Sequence, residues 1–330
     1  MKRSTGGSVL SARRFKPDVP KYIITLLSVV SILIIALIFV FVFYKAASVI
    51  GASGFGLVTQ GGFDAQIQEA FYSPPDTPML VFGLLGLILG TLLSSGIALI
   101  FATILGIGAA IVICEYCGRK VSALFTNVVR LLAAIPSVIY GLIGLITVVP
   151  LVESLFVTDD RVIQYLDYFQ MSGRNLLSSV IVLTFMIVPT VVSLAADAIA
   201  AVPNQLRDCG YAFGMGKFRV IWKIVLPSAR SGITAGILLG AGRGIGEAIA
   251  VSMVCGGVGI LPKLSFGMFN LLAPTLPLSA AIINKSEAMG SGPVTNALFA
   301  CGALLLVFGA ALSIVARLVS GRMMKGGAAA

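Results

Sequence analysis

Histidine is missing from all 330 residues, and Asp, Glu, Lys and Arg together supply only 11% of them. Losing imidazole removes the commonest metal ligand and general base, and no metal-protease motif, nucleophile elbow or catalytic pair stands outside the apolar runs. Scarcity of charge is as informative, because a soluble domain carries about a quarter charged residues. At 58% hydrophobic and a mean hydropathy of +1.04, the chain reads as an integral membrane protein. Five cysteines do not make a disulfide framework. Cys114 and Cys117 form a lone C-x-x-C at a helix end, where packing is favoured over redox or metal chemistry. Gly214-Met215-Gly216-Lys217-Phe218 lacks the first Gly and the Ser or Thr of a phosphate-binding loop, so no ATP site is expected in this chain. The net charge of +10 is divided among short segments between apolar runs, which argues for membrane orientation and against nucleic acid.

What is present is a series of long apolar runs, each long enough for the ~20 residues that cross a bilayer. Residues 1–21 hold Lys2, Arg3, Arg13, Arg14, Lys16 and Lys21 against Asp18, and read as a cytoplasmic tail. The run Tyr22–Tyr44 follows. It exceeds the ~7–15 residues of a signal-peptide core, so a retained first span is expected although Ala46-Ala47-Ser48 lies beyond it. Residues 51–78 carry Asp64, Glu69 and Asp76 without Lys or Arg and read as external, closing a first region over 22–78. A core over 79–317 then has spans expected near 86–114, 131–151 (bent at Pro136), 180–200 (kinked at Pro189), 233–255 and 294–316, with a cytoplasmic tail at 318–330. Arg119, Lys120 and Arg130 mark one cytoplasmic return. Glu153, Asp159, Asp160 and Asp167 mark an external loop, and the segment 256–293, with Lys263, another. Asp197 is expected to pair with a loop cation at its helix end. Six spans with both termini in the cytoplasm result.

The organising stretch runs from Val202 to Glu247. Pro203 suits a helix start, and Gly214 and Gly216 supply a break. Phe218, Ile221, Trp222 and Val225 then recur at helical spacing in a second short helix that Pro227 is expected to close. Inside the next span stand Arg243 and Glu247. Their i, i+4 spacing would put both on one face, beside a stripe of Gly232, Gly236, Gly240 and Gly244 that admits another helix. Charge at the centre of a span costs about 2.5–3.5 kcal/mol even on the lenient scale, so the pair should face protein or a polar cavity. Two readings follow. The pair either neutralises itself and locks packing, or Arg243 meets an oxyanion while Glu247 holds the guanidinium in place.

Asp208-Cys209-Gly210, Gly214, Ile224, Leu226 and Pro227 sit at the offsets of E-A-A-x3-G-x9-I-x-L-P, the cytoplasmic loop pattern of ABC importer permeases, with Asp-Cys-Gly in place of Glu-Ala-Ala. The stretches from Ala134 to Leu142 and from Gly242 to Val254 resemble the phosphate-specific PstC/PstA branch, the second being more like PstC. The resemblance implies an all-α type I ABC importer permease fold and alternating access. It implies a second, PstA-like permease subunit, two ATPase subunits that carry the ATP and Mg, and an extracytoplasmic phosphate-binding protein that delivers inorganic phosphate. It also implies a coupling loop over 202–227, with Arg207, Asp208, Gly210, Phe213, Gly214, Lys217, Leu226 and Pro227 as ATPase-coupling residues and Ser137 beside Arg243 and Glu247 on the substrate path. Permeases for molybdate, sulfate or phosphonate would share the loop. An ion-coupled secondary transporter would also be polytopic, but it would be expected to show two similar halves.

Overall fold

Small residues recur every fourth position through the second apolar run: Gly86, Gly90, Ser94, Ala98, Ala102, Gly106 and Ala110 are all buried. That spacing makes one continuous seam along a helix, and it decides how the core packs. In a computed structural model, which describes residues 19–74, 78–262 and 264–327, the elements are helical and the described residues hold no strand beyond a single bridge between Gly256 and Thr275. Lys2, Arg3, Arg13, Arg14, Lys16, Asp18, Asp76 and Lys263 lie outside the described residues.

The principal helices are α1 (Val19–Ser53), α2 (Phe63–Phe71), α3 (Leu85–Tyr116), α4 (Arg119–Ala133), α5 (Ser137–Phe156), α6 (Leu176–Ala200), α7 (Asn204–Ala212), α8 (Lys217–Gly246), α9 (Ile249–Val254), α10 (Leu278–Asn284) and α11 (Gly292–Gly327). Six of them, α1, α3, α5, α6, α8 and α11, are long and apolar enough to cross a membrane. Two compact units divide within α1, the first ending at Phe41 and the second beginning at Val42. In the first, nearly every side chain from Lys21 to Phe41 is exposed although the segment is almost wholly apolar, which is the pattern of a helix solvated by lipid.

Within the second unit α6 is the axis. Its N-terminus is capped by Asn175, whose Oδ1 accepts from Ser178 N at 3.0 Å, and it continues through Pro189 to Ala200. The α3 seam lies on one side of it, where a methyl group on Gly106 would stand 2.7 Å from Val191. The glycine stripe of α8 lies on another: methyl groups on Gly232, Gly236 and Gly240 would fall 2.5–2.9 Å from Ala198, Leu194 and Ile187. That stripe therefore admits a helix of the same chain. Its place is not a face left open for a partner.

Three span boundaries differ from expectation for identifiable reasons. Leu131–Ala133 belong to α4, and the chain breaks before α5, because Pro136 lacks an N–H and forces the residue before it out of helical geometry. The second helix of the cytoplasmic loop does not close at Pro227; α8 runs unbroken from Lys217. A π turn at Ile221–Val225 provides the extra residue that lets Pro227 sit in the first turn of the following α segment. The fifth span ends early, at Gly246, and resumes only as the short α9. At the other end of the molecule, Asp64 Oδ2 accepts from Gly259 N at 2.7 Å and Oδ1 pairs with Lys285 at 2.7 Å, tying α2 to the segment before α10 and to the residue that follows it.

Candidate functional site

The loop between α6 and α8 is built on two glycines. Gly214 has φ +72°, its N–H donates to Tyr211 O at 2.9 Å and Met215 N–H to Gly210 O at 3.1 Å, which terminates α7 with a left-handed residue. Gly210 is buried, and a methyl group there would stand 2.6 Å from Ile224 Cδ1 and 3.0 Å from Val220. So α7 lies against the head of α8. Beneath it Val202, Val220 and Val225 pack with Ala110, Ala195 and Ile199 from the ends of α3 and α6.

The outer face is apolar. Phe213 is 85% exposed and Phe218 67%, and Trp222 lies 5.9 Å from Phe218, centroid to centroid. Asp208 is exposed with them. The helical stripe read from the sequence is split: Ile221 and Val225 go inward, Phe218 and Trp222 outward. Other predicted coupling residues are engaged within the chain or lie further along α8. Arg207 points into the protein, where Nη2 donates to Glu115 Oε1 at 3.0 Å and to Ile199 O at 2.9 Å, and Nη1 to Asn204 Oδ1 at 3.1 Å and to Val202 O. Lys217 sets its ammonium 4.7 Å from the Tyr116 ring centroid. Leu226 and Pro227 lie within α8, half-buried and exposed respectively. Glu115 and Tyr116, which receive these two cations, were not singled out in the sequence. A lone acid among cytoplasmic cations was the signal available.

Arg243 occupies a second corner, in the last turn of α8, where a cation favours the carbonyl end of a helix. Its Nη1 donates to Thr190 Oγ1 of α6 at 3.0 Å and lies 3.5 Å from Ala133 O, the last carbonyl of α4. Glu247 is not its partner. With ψ 119°, Glu247 has left the helix; its Oε1 accepts from Ala250 N at 3.0 Å, and its carbonyl accepts from Ser279 Oγ at 2.7 Å. Ion pairs among the described residues are Arg130–Asp197, Arg207–Glu115 and Lys285–Asp64. The first is the helix-end pair expected of Asp197. Ser137 opens α5, half-buried, just past the Ala133 corner, where Tyr140 Oη donates back to Leu132 O at 2.8 Å. The structure thus joins Arg243 to Thr190 and Ala133 and sends Glu247 elsewhere. The guanidinium stands beside an open groove of about 910 Å³ between α8 and α11 that Arg243, Thr190 and Arg317 help to line.

A six-span helical chain with an internal cation and a glycine-shaped loop between α6 and α8 has known relatives. The family described as binding-protein-dependent transport system inner membrane component matches residues 102–325. This chain belongs to that family. It is similar to the phosphate transport system permease protein PstC of Mesorhizobium japonicum, 35% identical over 244 residues that cover 72% of each chain. PstC of Pasteurella multocida is 34% identical over 246 residues, covering 72% of this chain and 74% of that one. The probable ABC transporter permease protein YqgH of Bacillus subtilis is 32% identical over 241 residues, covering 73% and 72%. Among solved structures, an inward-facing MetNI methionine ABC transporter superposes with a TM-score of 0.51 at 13% identity, over 71% of this chain and 93% of that one. That likeness bears on the fold, which is that of an ABC importer permease. As a member of this family the chain is a multi-pass membrane subunit of an ABC transporter complex, working with ATPase and other subunits.

Proposed function

We propose that this chain is a permease subunit of an ATP-driven importer of inorganic phosphate, paired with a second, PstA-like permease. Two ATPase subunits carry ATP and Mg and bind the exposed Phe213, Phe218 and Trp222 face. An extracytoplasmic binding protein delivers phosphate. The chain itself performs no covalent chemistry, and both termini are cytoplasmic, as the clustering of Arg119, Arg130, Arg207, Lys217 and Arg317 at one set of helix ends supports.

The observation that carries the reading is the guanidinium of Arg243. A cation neutralised by a neighbouring carboxylate would offer an anion little; Arg243 is instead held by a hydroxyl and a carbonyl, and makes no ion pair among the described residues, so its planar fork is available to an anion. The PstC relatives, which are named for phosphate transport, support phosphate as the anion. In alternating access, ATP-driven closure of the ATPases moves the α7 loop, and the spans attached to it expose the Arg243 corner to one side of the membrane and then the other.

The test is uptake by the complete complex in proteoliposomes, with radiolabelled phosphate offered against unlabelled sulfate, molybdate and phosphonate. Phosphate uptake that requires internal ATP, and that the other anions do not inhibit, is the expected result. Uptake of another oxyanion in its place would reassign the substrate. Gradient-driven uptake by the isolated chain would remove the ATP-coupled reading altogether.

A further inference from the structure

Among the three ion pairs of the described residues, Arg207–Glu115 is the dry one: its side chains are 15% and 8% exposed, against 56% and 54% for Arg130–Asp197. Exposed pairs are screened and weak, whereas a buried pair with its remaining donors satisfied is held in one geometry. Arg207 satisfies that condition. Its Nε and Nη2 both reach Glu115 Oε1, at 3.3 and 3.0 Å, and its other contacts are the carbonyls of Ile199 and Val202 and the Asn204 amide oxygen. One guanidinium therefore joins α7 to the ends of α3 and α6.

Glu115 lies in a π turn, Val112–Tyr116, that ends α3, and the neighbouring Tyr116 receives Lys217 from the other arm of the loop. Both arms thus grip the same turn. A π turn is a rare single-turn departure from the α-helix, found frequently at functional sites.

We propose that Glu115 is a positioning residue for transport: through Arg207 it draws the π turn of α3 along with the α7 loop, so that ATPase movement reaches the span carrying the small-residue seam. The proposal rests on the ATPase-coupled reading above and is independent of which anion is moved.

The test uses the complete complex and a readout at Cys117, the half-buried residue that closes the π turn. Its rate of labelling by a maleimide is measured by tandem mass spectrometry in the nucleotide-free and vanadate-trapped states. We expect wild-type rates to differ between the states by about fivefold or more, and Glu115→Gln to bring them within about twofold while ATP hydrolysis continues. Equal rates in wild type, or a Glu115→Gln complex with the wild-type difference, would overturn the proposal. Should Glu115→Gln fail to assemble, the apolar pair Glu115→Leu with Arg207→Met refills the space without the ionic link. Assembly with the difference lost supports the link; failure of this variant too makes the pair a purely structural one and overturns it. Phosphate uptake is followed in parallel. A wild-type complex that shows the labelling difference but takes up no phosphate loses the substrate reading and keeps the link.

Discussion

Arg243 donates to the Thr190 hydroxyl at 3.0 Å, and Glu247, one helical turn further along the sequence, is engaged with the next helix instead. The two charges thus make separable predictions. Arg243→Gln should abolish phosphate uptake in a complex that still assembles, since the amide keeps a hydrogen-bond donor and removes the charge. Glu247→Gln should be mild, because an amide oxygen can still accept from Ala250 N. Equal loss in both, measured as uptake per assembled complex, would restore the idea of a mutually dependent pair.

Thr190 is the residue expected to hold the guanidinium in place. Thr190→Val leaves an Arg243 donor without its acceptor, a penalty of about 1–3 kcal/mol, or roughly fivefold to 150-fold in uptake. Thr190→Ser should stay near wild type. A fully active valine variant would show that Arg243 needs no such support.

The loop glycines should fail in different ways. Gly210→Leu forces a side chain into Ile224 and Val220, an overpacking cost of about 1–3 kcal/mol that should lift α7 from α8. At Gly214 there is open space but φ is +72°, so Gly214→Val costs about 1–2 kcal/mol in backbone strain while Gly214→Asn should be tolerated. Both damaging variants should remain in the membrane and lose ATP-dependent uptake. Limited proteolysis of the loop would register the loosening directly, and unchanged uptake would disconnect the loop from coupling.

Phe213 tests the proposed docking face without touching the fold. At 85% exposed it contributes little to the chain's own packing, so Phe213→Ser should leave the melting temperature of the isolated subunit unchanged. Co-purification of the ATPase subunits should fall sharply. Retention of the ATPases at wild-type yield would move the docking surface elsewhere.

Much of this architecture was legible because lipid imposes a length on apolar runs: the span expected near 86–114 is Leu85–Tyr116, and that near 180–200 is Leu176–Ala200. Spacing alone located the α7 loop and its Gly214 break. The end of α8 at Gly246 was not legible, because no proline or polar run marks it; Ser279, 32 positions away, holds the carbonyl that leaves the helix. Nor could the inward turn of Arg207 be read locally, its carboxylate lying 92 residues earlier. Seven small residues at intervals of four in α3 follow the same spacing as the more conspicuous glycines of α8 and mark the seam in the sequence.

The π turn ahead of Pro227 also sets an angle. One residue more than an α-helix needs enters between Lys217 and Leu226, and each residue of helix carries about 100° of rotation and 1.5 Å of rise. Faces on either side of the turn are therefore out of phase. A helical wheel drawn straight through it assigns Phe218 and Trp222 to the side of Ile221 and Val225, which they do not share. Deleting a single residue there would turn the loop about its own span like a key, keeping every side chain of the proposed ATPase-docking face and presenting them in the wrong direction.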